Sequence, residues 1–193
     1  MNSRTNDLGV SEQVLSLSEH LAILRQEYAD FCSNEFRAEQ QLFDEFKQLY
    51  ELPYITKIAF GESEELNKVL ILQTIPIVLW HAGQRYDIGE MAMVFMRKPN
   101  VNKWFYNLTR QVSIPFKNPV AEPHAEFINR RVSVADGAHH PHVNSVGTLC
   151  TDQVQFILQE ISAGNILSAT KLCWEVLNTY TAGGNPFVPI EHW

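Results

Sequence analysis

Cys150 is the residue in this chain best placed to do chemistry. It sits in His140–Asp152, which reads HPHVNSVGTLCTD. A thiol needs no metal to attack a carbonyl, because at an unshifted pKa of about 8.5 a few per cent is already thiolate near neutral pH. The neighbours decide what it attacks. Gly147 allows a tight turn or a positive φ before the cysteine, and Pro141 stiffens the approach by fixing φ. His142 brings a ring N–H or a lone pair close in sequence. Together they describe a rigid loop that presents a sulfur. The alternative is that Cys150 is a small buried hydrophobe, the commoner fate of an isolated cysteine.

The order and spacing of this segment resemble the active-site segment of ubiquitin-conjugating enzymes. In that family His-Pro-Asn and an aliphatic residue lead through a short polar loop to Gly-x-aliphatic-Cys-x-Asp. The matching positions are His140, Pro141, His142, Val143, Gly147, Leu149, Cys150 and Asp152, with no gap. His142 departs from the pattern, standing where the family usually has asparagine. The resemblance implies that Cys150 accepts a ubiquitin-like protein from an activating enzyme as a thioester and passes it to an amine on a target protein. It also implies that His140 and Pro141 shape the turn. Asp152 falls on the family's acidic position, where it orients or deprotonates an incoming lysine; a loop-capping Asx role is equally open.

Each acyl transfer passes through a tetrahedral oxyanion, which needs a preorganised donor about 3 Å away. The resemblance gives that role to position 142. A ring nitrogen of His142 can donate there while the other bonds the loop, or His142 simply braces the loop. Imidazole, unlike an amide, changes charge near pH 6.5, so a pH-dependent transfer rate is expected. The cluster His139, His140 and His142, with His124 and Cys150, also invites a zinc reading. Adjacent histidines on an extended loop point in different directions, however, and no paired cysteines or HExxH helix accompanies them. Neither a metal nor another cofactor is expected.

The elements that must hold this loop are legible in the periodicity. Leu17, Leu21, Leu24, Tyr28 and Phe31 form a helical stripe, opened by a Ser16-x-x-Glu19 capping box. The stripe loses register at Ser33-Asn34, resumes with Phe36, Phe43, Phe46 and Tyr50, and stops before Pro53; two helices or one bent helix fit. Tyr54–Phe60, Val69–Trp80 and Tyr86–Phe95 read as consecutive antiparallel strands, with a fourth inside Glu126–Val134. A long loop is expected from Lys98 to Pro123. A last helix is expected over Ile166–Tyr180, with Asn165 as N-cap and Gly183-Gly184 as its stop. Its apolar face includes Ala169, Leu172, Cys173 and Val176.

The expected architecture is therefore α+β, with an N-terminal helical segment, an antiparallel four-stranded meander, an active-site loop and a C-terminal helix. The resemblance makes this a ubiquitin-conjugating fold. It covers roughly residues 54–186, loosely outside the active loop, with Tyr86-x-x-Gly89 and Asn185-Pro186 as minor matches. The division expected is a helical extension over 1–52 and a catalytic core over 53–193. The long leading helices and the short segment after Cys150 look closer to bacterial relatives encoded in ubiquitin-like conjugation operons, which are associated with defence against phage.

The whole chain limits the alternatives. Its 193 residues and 45% hydrophobic content suit one ordinary core. No apolar run is long enough to span a membrane, and the first residues lack a hydrophobic signal region, so a cytoplasmic protein without a membrane partner is expected. Cysteines 32, 150 and 173 form no close pair, which suits a reducing compartment. Of the net charge of −7, residues 1–65 carry thirteen acids and five bases, leaving nine acids and ten bases for the remainder. That distribution argues against nucleic-acid binding, which needs a basic face. Arg97-Lys98 and Arg130-Arg131 read as solvated surface. Two other functions remain open: a non-catalytic module of the same fold that binds a ubiquitin-like protein, and a cysteine hydrolase with a histidine base.

Overall fold

The computed structural model describes residues 5–32, 39–62, 68–98, 103–109, 138–150, 154–181 and 186–193. Two helices lead, α1 (Thr5–Cys32) and α2 (Glu39–Tyr50). Six strands follow: β1 (Ile55–Glu62), β2 (Lys68–Thr74), β3 (Ile77–His81), β4 (Gln84–Gly89), β5 (Ala92–Lys98) and β6 (Lys103–Thr109). Helices α3 (Val154–Ser162) and α4 (Ile166–Leu177) come after the Cys150 loop, and a 3₁₀ turn spans Ile190–His192. The fold is α+β with antiparallel sheets.

The four-stranded sheet has the order β1-β2-β5-β6, with every neighbouring pair antiparallel. The β3-β4 hairpin is a separate two-stranded sheet inserted between β2 and β5. The expected single strand Val69–Trp80 is therefore broken, and Pro76 gives the reason: without an N–H it cannot extend the β2 ladder. Thr74 closes the gap left by the insertion. Its N–H donates to the Met91 carbonyl at 2.8 Å, and its hydroxyl accepts from Met91 N at 3.1 Å. The hairpin turns through Ala82 and Gly83, both at positive φ (48° and 78°), as a tight turn between twisted strands requires.

The fourth strand of the sheet is β6, within the stretch expected as loop; the expected strand in Glu126–Val134 lies outside the described residues. β6 (KWFYNLT) has polar residues at both ends and Asn107 inside, with none of the runs of valine, leucine, isoleucine and methionine that mark β2 and β5. Helix α1 begins at Thr5, so Ser16 and Glu19 lie inside it and form no capping box at its start. Helix α3 was not anticipated.

One apolar core joins all these elements. Leu24, Tyr28 and Phe31 of α1 and Phe46 and Leu49 of α2 meet Leu70, Leu72, Met93 and Phe95 of the sheet, together with Ile157, Ile161, Ile166 and Cys173 of α3 and α4. Tyr28 and Phe46 pack with ring centroids 5.4 Å apart, and Tyr54 stacks flat on Trp174 at 4.4 Å. The other sheet face carries Ala59, Val69, Ile71, Ala92 and Val94, also buried.

Helix ends are completed from a distance. No basic residue occupies the last turn of α1; instead Lys68 Nζ donates to the Asp30 carbonyl and Arg97 Nη1 to the Phe31 carbonyl, each at 3.1 Å. Both donors satisfy carbonyls that a helix leaves without a partner and complement its negative end. Arg97 is accordingly buried, 8% exposed, and not solvated surface as its sequence context implied. At the start of α4, Asn165 holds the N-cap position, yet its side chain donates to Glu160 Oε2 and makes no cap bond. Glu45 of α2 supplies the acceptor, taking the Leu167 N–H at 3.1 Å. The helix stops at Leu177, earlier than expected, with Asn178 as its C-cap; Gly183 and Gly184 lie outside the described residues.

Replacing Glu45 leaves the Leu167 N–H without its acceptor beside the core. Glu45→Ala should lower unfolding stability by about 1–3 kcal/mol, and Glu45→Gln, which keeps an acceptor oxygen, by less. Urea midpoints at constant m-value would test this.

Candidate functional site

The loop from Ala138 to Cys150 folds on itself before it meets the rest of the protein. His140 N and Val143 N exchange bonds with the Val143 and His140 carbonyls (3.3 and 2.8 Å), and short bridges pair Val143 with both His140 and Leu149. Asn144 Oδ1 accepts from Val146 N and Thr148 N (3.1 and 2.9 Å), closing an Asx-type turn. Gly147 follows at φ 81°, the positive value that its position in the sequence allowed for.

Contacts to β6, the C-terminal segment and α4 help fix this loop to the scaffold. The Leu108 N–H of β6 donates to the Gly147 carbonyl at 3.0 Å, and Val188 N donates to the Pro141 carbonyl at 3.4 Å. His140 reaches α4: its Nε2 lies 3.1 Å from the Leu177 carbonyl, and its Nδ1 accepts from the His142 N–H at 3.1 Å. A carbonyl cannot donate and a backbone amide cannot accept, so His140 carries its proton on Nε2. His140 thus ties the loop to α4, and the Pro141 carbonyl ties it to the C-terminal segment. Val143 and Leu149 anchor the loop in the core.

The two candidate residues, Cys150 and His142, meet on this frame. His142 Nδ1 stands 3.2 Å from Cys150 Sγ, and the Cys150 N–H donates to the His142 carbonyl at 3.1 Å. Cys150 is partly buried, whereas Cys32 and Cys173 are buried. On the far side of the imidazole, Nε2 faces the Thr181 N–H at 3.3 Å. The Tyr180 ring packs against His142 at 5.5 Å and against His81 at 4.9 Å, and the Tyr180 hydroxyl takes the Ile190 N–H at 3.3 Å. His81 Nε2 lies 3.2 Å from Glu191 Oε1. Val146 and Phe187, 67% and 44% exposed, are apolar side chains left open to solvent in this region of the sequence.

Burial sets the protonation of the pair. It pushes the Cys150 thiol up, offset only in part by the backbone N–H groups of Cys150 and Phe187. It pushes the His142 imidazole down. Desolvation disfavours the charged form of each, which favours a neutral thiol beside a neutral imidazole. The charge change that free imidazole undergoes near pH 6.5 therefore falls lower in His142.

Asp152 lies outside the described residues, as does His124. Both ring nitrogens of His140 are engaged in holding the loop. Among the described residues no three His, Cys, Asp or Glu side chains are grouped to hold a metal ion, and no helix is long and apolar enough to cross a membrane. Tyr180, Thr181 and Phe187 are contributors that the sequence did not reveal. Tyr180 read as the end of a helical stripe, and the other two act through backbone amides, which carry no residue signature. Comparison of the chain with family models, curated proteins and solved structures finds no match.

Two outcomes follow from this geometry. Alkylation of the native protein by iodoacetamide should go to Cys150 before Cys32 or Cys173, with a rate that keeps rising with pH above the ordinary thiol range; peptide mapping across a pH series would show a plateau at lower pH if the thiol is not raised. Gly147→Ala forces an L side chain to positive φ and should cost about 1–2 kcal/mol, measurable by denaturation.

Proposed function

We propose that this protein is a ubiquitin-conjugating-type enzyme that carries a ubiquitin-like modifier as a thioester on Cys150. The observation that carries the reading is the 3.2 Å approach of His142 Nδ1 to a partly exposed Cys150 Sγ, on a loop whose residues follow the His-Pro-x-aliphatic, Gly-x-aliphatic-Cys pattern. The α+β fold with an antiparallel sheet and a flanking C-terminal helix is compatible with the ubiquitin-conjugating arrangement.

The chemistry is thiol exchange followed by aminolysis. The Cys150 sulfur bonds to the modifier's C-terminal carbonyl carbon, and the activating enzyme's sulfur departs with the electron pair of the broken C–S bond; one thiol proton is lost and another gained. An amine of the target then forms an amide bond, gives up a proton, and releases Cys150 as thiol. In this reading Asp152 orients the incoming lysine. No cofactor enters these steps. The modifier, the activating enzyme and the target are the partners, in the cytoplasm of a bacterium and in defence against phage.

The hydrolase alternative is the weaker one. A thiolate–imidazolium pair lowers its thiol and raises its imidazole, whereas burial drives Cys150 up and His142 down. Replacement of the family asparagine by His142 favours, in turn, a module of the same fold that binds a modifier without forming a thioester.

Incubation with an activating enzyme and a ubiquitin-like protein from a bacterial conjugation operon, plus ATP, separates these readings by intact mass. The expected result is a thiol-sensitive adduct lost in Cys150→Ala. A charged activating enzyme with no adduct on this protein supports the binding module, and release of free modifier without an amine supports the hydrolase.

A further inference from the structure

We propose that the backbone N–H of Thr181 locks His142 in the Nδ1–H tautomer, making the ring a fixed neutral donor toward Cys150 and not a base. The assignment rests on two contacts to one ring. The Thr181 amide can only donate, so at 3.3 Å from Nε2 it requires a lone pair there. In a neutral imidazole the proton must then sit on Nδ1, the nitrogen 3.2 Å from the Cys150 sulfur. Protonating Nε2 would set two N–H groups against each other, a second cost on top of the burial that already disfavours the charged ring.

The donor is held in place from outside the loop. Thr181 follows Tyr180, whose ring packs on His142 and whose hydroxyl is bonded by the Ile190 amide, and His81 with Glu191 backs that ring. Thr181 is a positioning residue by its main chain alone. The groups facing His142 are Cys150 and His140 from the loop and Tyr180 from the segment after α4, with the His81–Glu191 pair behind it.

This deepens the reading of the site as a thioester carrier and rests on it for its biological use, though not for its test. A carbonyl bonding to Cys150 develops an oxyanion beside the sulfur, where the Nδ1–H can follow it. Asparagine likewise offers an N–H donor and an acceptor from one side chain, and its amide nitrogen lies as many bonds from Cα as Nδ1 does. A neutral, tautomer-locked histidine can therefore stand in for the family's asparagine without introducing a base next to the thioester.

The first measurement needs only the protein itself. With ¹⁵N-labelled histidine, the His142 ring, identified by its loss in His142→Asn, should show a protonated Nδ1 and an unprotonated Nε2 at neutral pH. The reverse pattern, or an averaged one, overturns the proposal. The second follows acylation of Cys150 by a small aryl thioester, read by mass. His142→Ala should slow it by about 10²–10³-fold, while His142→Asn stays within several-fold of the parent at a ratio that does not change with pH above about 6.5. Equal loss in both variants would mean that the ring acts as a base and would sink the donor role. Thr181→Ala, which keeps the N–H, should leave the ring spectrum unchanged; Thr181→Pro, which removes it, should mix the tautomers. Absence of a modifier adduct in the enzyme-coupled assay would overturn the conjugation reading while leaving these results standing.

Discussion

The C-terminal carbonyl of α4 is the constraint on which the site depends. A helix ends with carbonyls that its own backbone cannot satisfy, and the one on Leu177 is buried, where an unmet acceptor is costly. His140 satisfies it at 3.1 Å. That bond fixes the His140 ring, whose other nitrogen takes the His142 amide, and so sets the direction from which His142 meets Cys150. The same solution recurs elsewhere in the molecule. Lys68 and Arg97 complete the end of α1, and Glu45 completes the start of α4. Each partner is distant in sequence, so capping here is tertiary structure: the helices cannot be finished until the sheet and the loop have arrived.

Such tethering explains how a loop can hold a polar pair at low exposure. Four main-chain or ring contacts, to β6, α4, the segment after it and the C-terminal segment, leave the loop little freedom. The positive φ at Gly147 turns the chain so that Leu149 enters the core while Cys150 remains partly open. Sulfur and imidazole are then positioned by groups that do not themselves react, which is how a precise constellation survives on irregular backbone.

What could be read from the sequence followed the range over which each signal acts. Local chemistry was legible: the turn at Gly147, the stop before Pro53, the α2 and α4 stripes, and Cys150 beside His142. The signals that failed were those decided by distant groups. Arg97 looks like surface beside Lys98 because nothing nearby shows the helix end it completes. Asn165 has the right residue type for an N-cap, but Glu45 from α2 takes the amide. Ser16 and Glu19 form a fine capping pattern in the middle of a helix that the residues before them extend. Val69–Trp80 is apolar on both sides of Gln73, Thr74 and Pro76, and the break falls at those three residues. The residues that hold the imidazole, Thr181 among them, act by main-chain N–H groups that every non-proline residue owns, so no composition or spacing could single them out.

The resting charges of the site carry the last step of the argument. A cysteine prepared for hydrolysis needs a lone pair nearby to take a proton from water once the acyl group is in place. A cysteine that stores an acyl group needs the opposite, because any such base would destroy what it carries. Burial disfavours the charged forms of both Cys150 and His142, and the amide of Thr181 faces the one ring nitrogen turned away from the sulfur. What the ring then offers toward Cys150 is a proton and not a lone pair. An incoming amine can be helped by such a donor as the oxyanion forms, since it brings its own nucleophilic pair; water gains the same donor but finds no base. In the proposed carrier, selectivity for transfer over hydrolysis would thus arise from the orientation of one backbone N–H on the far side of the imidazole.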